Sequence, residues 1–247
     1  MKTDFLLEHR TIREFTDKKL TKEEIDKLMD IANMTATSNG MQNYSIIEVT
    51  DENLKEKLSK VGSQEYMRRS THLFIFIVDL FRNYKIAEEL GVSNKDMIDM
   101  DKFFQGFTDA SIACQNVVCA AEAMGLGCNY FGNIHNDLKK VIEILKLPKY
   151  TLPVVGLGIG YPNQKPQIKP RIPTENKVFK NEYHIYDKYT ETLSDYDKKM
   201  TEYYDLRDKN RRVDSFFKQV EKKQGSVVKN RDKIFDVIKD QGFIINK

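Results

Sequence analysis

The chain has 247 residues, 40% of them hydrophobic, and a formal net charge of +3. That is enough apolar material for one large buried core or two small ones, and acidic residues interleave with the basic ones, so the sequence lacks the basic stripe that grips nucleic acid. The longest apolar run, Leu73 to Val78, is far too short to cross a bilayer, and the first residues lack a signal peptide's apolar stretch; the expectation is a soluble, cytoplasmic protein without a membrane partner.

Thr21-Lys22-Glu23-Glu24 has the form of a capping box, and Ile25, Leu28, Met29 and Ala32 follow at helical spacing, so a helix packed on the core is predicted there. Residues 45–50 read as a strand, a helix with Leu54, Leu58 and Val61 on one face ends at Gly62, and Leu73 to Val78 reads as a fully buried strand. Between Asp101 and Gly125, small apolar residues and little charge predict a long, almost wholly buried helix, central in the core or at a subunit interface. Gly125-Leu126-Gly127 supplies its C-terminal cap. A short strand from Cys128 to Phe131, an amphipathic helix from Asn136 to Leu145 and a last core strand from Pro153 to Gly160 follow. Pro162, Pro166, Pro170 and Pro173 then make a stiff extended arm, and a charged, tyrosine-rich helical tail closes on an amphipathic helix around Ile234 to Ile238. Cys114, Cys119 and Cys128 are odd in number and lack metal-ligand spacing, which predicts reduced packing thiols and no metal site.

Two basic clusters carry the strongest chemical signal: His9-Arg10-Thr11-Ile12-Arg13 and Lys169-Pro170-Arg171. The planar fork of Arg matches phosphate bidentately and Lys adds a compact charge; Pro170 keeps its neighbours extended, so that Lys169 and Arg171 point the same way. On these residues alone, a phosphate clamp and ordinary solvated cations stand as equal readings.

Set beside Thr37-Ser38-Asn39-Gly40-Met41-Gln42, Gly125-Leu126-Gly127, Tyr130-Phe131-Gly132 and Gly156-Leu157-Gly158-Ile159-Gly160-Tyr161-Pro162, the two clusters resemble the nitroreductase family. The branch that prefers NADPH and reduces nitro compounds or flavins is the most similar, because Tyr203-Tyr204 and Asn210-Arg211-Arg212 resemble its C-terminal helical extension. The resemblance implies an α+β fold, a mixed sheet flanked by helices, in an intertwined homodimer whose two chains share each flavin site. It also implies an FMN-binding core over residues 1–173 and a helical extension over 174–247 that packs on the core or on the partner subunit.

By the same resemblance, His9, Arg10, Thr11 and Arg13 bind the phosphate and ring edge of FMN, with Lys169 and Arg171 as a second phosphate and ribityl cluster. Ser38, Asn39 and Gln42 offer short polar side chains to the cofactor, Gln64 lies near the ribityl chain, and Tyr130, Phe131, Gly132 and Asn133 approach the ring. Arg207, Arg211 and Arg212 match cations that hold the 2′-phosphate of NADPH. Without the resemblance, the 37–42 run is an ordinary turn, Gln64 is surface decoration and the tail arginines are a solvated helix end. The chain departs from the branch at Asn133, where a second glycine is usual, and at His135, near a usual arginine.

No G-x-G-x-x-G with its acidic partner, Walker loop or G-x-S-x-G elbow occurs, and the glycines from 156 to 160 sit inside a strand pattern that suits close packing. The activity implied is two-electron, ping-pong transfer from NADPH or NADH through FMN to a nitroaromatic, quinone or free flavin. No side chain is nominated as catalytic, because the cofactor supplies the redox chemistry. A dedicated flavin reductase and a non-catalytic flavin-binding or redox-sensing protein are the alternatives.

Overall fold

A computed structural model describes residues 2–92, 98–203, 215–226 and 228–244. The chain divides into two compact units, residues 1–164 with 228–247, and residues 165–227. The last helix lies with the first unit, where Ile238 and Phe243 join the main core.

In the first unit, α1 (Lys22–Asn33) leads to β1 (Tyr44–Glu48), α2 (Glu52–Gly62), the single turn α3 (Glu65–Arg68), β2 (His72–Asp79), α4 (Phe81–Glu89) and the long α5 (Met100–Ala123). Then come β3 (Gly127–Phe131), α6 (Leu138–Leu145) and β4 (Thr151–Gly160). The second unit carries α7 (Tyr189–Thr192), α8 (Ser194–Glu202) and α9 (Phe216–Gln224), after which α10 (Ile234–Asp240) belongs to the first.

Local chemistry sets these boundaries. Thr21 and Glu24 form the reciprocal capping box at α1, Asp51 accepts the Asn53 and Leu54 N–H groups at α2, and Asp99 accepts the Lys102 N–H at α5. At its other end α5 stops in a Schellman turn: Leu126 donates to the Ala121 carbonyl at 2.9 Å and Gly125, at φ +76°, donates to Glu122 at 3.0 Å.

The four strands run in the order β1-β2-β4-β3 with every neighbour antiparallel; among the described residues, isolated parallel bridges join Thr11 to Cys128 on the outer edge of β3 and Asp99 to Ile244. Because successive side chains of a strand face opposite ways, Phe74, Phe76 and Val78 of β2 pack in the core that holds α1, α5 and α10. Leu73, Ile75 and Ile77 pack with Leu58, Met67 and Val141 beneath α2, α3 and α6. Burial on both faces explains the continuous apolar run of β2.

The structure changes two expected elements. The amphipathic helix at 136–145 begins as a 3-10 turn over Gly132–Asp137 before α6. Helix α5 is buried on one side only: Phe104, Thr108, Ile112, Gln115 and Ala123 are exposed along a stripe, and no exposed residue from Phe104 to Ala123 is charged. Among the described residues, no helix is long and apolar enough to cross a membrane.

In the second unit, Phe179 and Tyr183 meet edge to face at 4.9 Å between centroids and Tyr186 and Tyr189 likewise at 5.3 Å, while Asp197 of α8 accepts the Phe217 N–H of α9 at 2.7 Å.

Candidate functional site

The basic segment at the N-terminus is laid along β3. Beside the Thr11 to Cys128 bridge, Ile12 donates its N–H to the Cys128 carbonyl at 2.9 Å, and Phe15 bridges to Pro162. Gly127 permits this approach, since a Cβ there would lie 2.7 Å from Ile12 Cγ1. His9 is fixed from the other side by α5, its Nδ1 lying 2.5 Å from Glu122 Oε1. Arg10 donates from Nη1 to the Glu8 carbonyl at 2.9 Å, but its buried Nε meets no acceptor among the described residues. Arg13 lies over the Tyr66 ring at 5.9 Å, and the adjacent Glu14 pairs with Arg69 at 2.6 Å.

Those contacts bring α3 to the cluster. Gln64 precedes α3, and its Oε1 is a second buried polar atom without a partner among the described residues. Tyr66 also faces Phe131, with ring centroids 5.9 Å apart, which brings the end of β3 to the same place. There Tyr130 donates its hydroxyl to Gln115 of α5 at 2.7 Å, and Asn133 donates its amide to the Gly62 carbonyl at 3.2 Å. Thus Arg13, Gln64, Tyr130, Phe131, Gly132 and Asn133 lie toward the C-terminal end of β3, while His9, Arg10 and Thr11 lie toward its start.

Neither Gly132 nor Asn133 has a positive φ, so asparagine stands at position 133 without backbone strain. His135 is half-buried; burial foremost, and then the neighbouring Arg231, hold its imidazole below the ordinary range. It is therefore no source of positive charge at neutral pH.

The 38–42 loop is built around a different part of α5. Its 3-10 turn Ser38–Gly40 places Asn39 at φ +53°, and Gln42 follows at φ +50°. Asp109, 1% exposed, accepts the Ser38 N–H at 2.9 Å and the Asn43 N–H at 3.3 Å, so one carboxylate ties both ends of the loop. Arg82 donates to the Gln42 carbonyl and Asn83 to the Met41 carbonyl. Between this loop, α4 and α5 lies a cavity of about 260 Å³ lined by Asn39, Asn43, Asn83, Tyr84, Lys102 and Gln105 among others.

Lys169 and Arg171 are exposed in the second unit, where Arg171 donates from Nη1 to the Lys169 carbonyl at 2.7 Å. Arg207, Arg211 and Arg212 lie outside the described residues. Burial pushes the Cys114 and Cys128 thiols well above their ordinary range, which suits packing rather than reactivity, and among the described residues no cluster of His, Cys, Asp and Glu is arranged to hold a metal.

Three residues the sequence reading left unmarked organise these groups: Asp109, Glu122 and Arg231. An isolated acid in a charge-poor helix was the available signal for Asp109. Arg231 reaches the Gly132 carbonyl from 99 residues away, a distance no local motif spans.

The family comparisons agree with this architecture. Residues 6–161 match the Nitroreductase family and residues 169–246 match the nitroreductase family's C-terminal domain. An FMN reductase (NADPH) of Bacillus subtilis (strain 168) is 38% identical over 241 residues, covering 96% of both chains. The structure of a nitroreductase from B. subtilis superposes with a TM-score of 0.90 at 37% identity, over 98% of this chain and 99% of that one. An NADPH:FMN oxidoreductase from Vibrio harveyi, in complex with NAD+, gives 0.85 at 27% identity, over 98% of this chain and 97% of that one. Two consecutive family matches and a relative aligned almost end to end leave one assignment: the chain belongs to the nitroreductase family.

Proposed function

We propose that the protein is an FMN-dependent NAD(P)H oxidoreductase that passes two electrons to a nitroaromatic, a quinone or free flavin. The observation that carries the reading is a pair of buried polar atoms, Arg10 Nε and Gln64 Oε1, without partners among the described residues beside the basic segment. A buried donor or acceptor left unpaired costs about 1–3 kcal/mol, and a phosphorylated ligand with polar ring edges would satisfy both kinds. The residues therefore fit FMN, which when bound supplies hydride acceptance from the nicotinamide and electron delivery to the oxidant.

In this reading Arg10, Thr11 and Arg13 hold the phosphate and ring edge, joined by His9, which Glu122 orients. Lys169 and Arg171 add charge to the same group, and the turn at Tyr130 to Asn133 lines the ring. Arg207, Arg211 and Arg212 hold the 2′-phosphate of NADPH. The chain's contribution is to bind, orient and stabilise negative charge.

The 38–42 loop argues for a second chain. Its anchor, Asp109, and the anchor of His9, Glu122, are about 20 Å apart along α5 at 1.5 Å per residue and on nearly opposite faces at 100° per residue. A loop facing away from its own basic segment serves a partner's ligand more readily than its own. The uncharged, exposed stripe of α5 suits a homodimer interface that would bring the two together.

The test is to purify the protein, record its visible spectrum and add NADPH without oxygen. A yellow protein whose flavin band bleaches, then recovers on adding a quinone, is expected. A colourless protein that takes up no added FMN overturns the reading, and one that binds FMN without NADPH oxidation would instead be a flavin-binding protein.

A further inference from the structure

Arg231 enters the first unit from the C-terminal segment, just after Asn230 turns the backbone at φ +70°. Its guanidinium donates from Nη2 to the Gly132 carbonyl at 2.8 Å and from Nε to Asn136 Oδ1 at 3.1 Å. The two donors lie on one edge of the planar fork, and their acceptors lie near the two ends of the 132–137 turn, so one side chain staples that turn.

Both acceptors are neutral, and no carboxylate pairs with Arg231 among the described residues. The residue is half-buried. With no carboxylate paired to it among those residues, the guanidinium brings uncompensated positive charge to the turn while its charge-assisted bonds hold it.

The geometry has a directional consequence. In a planar trans peptide the C=O and N–H point opposite ways, so fastening the Gly132 carbonyl toward Arg231 aims the Asn133 N–H away from it. The Asn133 side chain is tied independently to the Gly62 carbonyl, so the peptide is held from both sides. A Cβ on Gly132 would meet nothing within 4 Å, which leaves that face of the turn open to a ligand.

We propose that Arg231 is a positioning residue for the flavin: it fixes the Gly132–Asn133 peptide that lines the ring and brings positive charge to that turn. The proposal rests on the FMN reading and extends it to a residue of the C-terminal segment that no motif marked.

Two variants test it, Arg231→Gln and Arg231→Lys. In the apoprotein, Arg231→Gln is expected to speed amide hydrogen exchange across residues 132–137 without speeding it in β2 or β4. In the FMN-loaded protein it should make the flavin harder to reduce by at least tenfold in the equilibrium constant, about 30 mV for a two-electron couple, measured against a redox dye. Arg231→Lys, which keeps the charge and loses the fork, should recover part of the potential but not the exchange protection. FMN affinity should change little in either, since the phosphate-binding cations are untouched.

A variant that binds FMN normally with unchanged potential and unchanged exchange overturns the proposal and leaves the functional reading standing. Wild-type protein that binds no FMN overturns both. Should Arg231→Gln fail to fold, the same two measurements on Arg231→Lys decide: unchanged values refute the staple, and faster exchange at 132–137 supports it.

Discussion

The Asp109 carboxylate accepts the backbone N–H of Ser38 across 71 residues of sequence at 2.9 Å, and the Asn43 N–H at 3.3 Å. Inside that span Asn39 and Gln42 hold positive φ, a conformation that disfavours side-chain-bearing residues. The buried carboxylate therefore offsets a strained loop. Asp109→Ala should cost about 1.5–3 kcal/mol, the range for hydrogen bonds to a charged group, seen as a lower midpoint in urea. If Ser38 and Gln42 touch the flavin, FMN affinity falls as well. A destabilised variant with unaltered FMN affinity would remove the loop from the binding site.

Gly127 tests the basic segment without touching a charge. An added Cβ would lie 2.7, 2.8 and 2.9 Å from Ile12 Cγ1, Cβ and Cγ2. Ile12 is β-branched and buried, so it has little freedom to yield, and the segment carrying Arg10, Thr11 and Arg13 must move instead. Gly127→Ala is expected to destabilise by about 1–3 kcal/mol and to weaken FMN binding in an apoprotein titration. Normal FMN affinity in a folded variant would mean that the register of this segment on β3 does not position the phosphate-binding groups.

The local elements were legible because their determinants are local. The Thr21 to Glu24 box, the glycine stop after α5 and the unbroken apolar run of β2 each declare a boundary within a few residues. The contents of the candidate site were legible only through motif resemblance, since Arg10, Ser38 and Gln64 carry no spacing that distinguishes a ligand contact from a turn. What organises the site was not legible. Asp109, Glu122 and Arg231 act on partners 71, 113 and 99 residues away, and the pairing of a carboxylate or guanidinium with so distant a backbone or side-chain group leaves no periodic trace. For α5 the charge-poor sequence left two readings, the centre of the core or a subunit interface, because its outer stripe is as uncharged as its buried face; the single chain leaves that stripe exposed.

That stripe gives a third prediction. Ile112, 40% exposed midway along α5, should be covered by a second chain in a homodimer. Ile112→Asp would bury an unpaired carboxylate at such an interface, so sedimentation should show the variant dissociating at protein concentrations where wild type remains a dimer. Since the 38–42 loop is proposed to serve the partner's ligand, FMN should be lost in parallel. A wild-type monomer with FMN bound would refute the shared site.

Acid should destabilise the fold through His72. Its Nε2 accepts the Leu20 N–H at 3.1 Å, which requires a neutral nitrogen there, while Nδ1 faces Glu48 at 3.5 Å. Burial is the largest influence and lowers its pKa; Glu48 opposes this, and Lys55 and Lys19 add to it. With the folded value below the unfolded one, near 6.5, the unfolded chain binds more protons in between. The contribution is thus complete above about pH 6.5 and is lost as pH falls through the lowered folded value. Urea midpoints measured from pH 8 down to 5 should fall on the acid side, and His72→Gln should flatten part of that fall. An equally steep acid limb in the variant would assign the loss to other groups.

The two sets of arginines near the end of the chain should separate by the ligand they lose. Arg171→Ala removes a guanidinium proposed to share the FMN phosphate, and a charge-assisted bond of about 1.5–3 kcal/mol corresponds to roughly ten- to a hundredfold weaker FMN affinity. Flavin occupancy should drop while the NADPH to NADH preference of the loaded fraction stays unchanged. Arg207→Ala and Arg211→Ala should do the reverse, leaving FMN bound while raising KM for NADPH far more than for NADH, which lacks the 2′-phosphate. The ratio of kcat/KM for the two nucleotides is the discriminating quantity, because loss of fold or of flavin lowers both values together and cancels in the ratio. An unchanged ratio in both tail variants would assign those arginines to packing or to solvent, and the nucleotide preference would then have to come from the cations of the core.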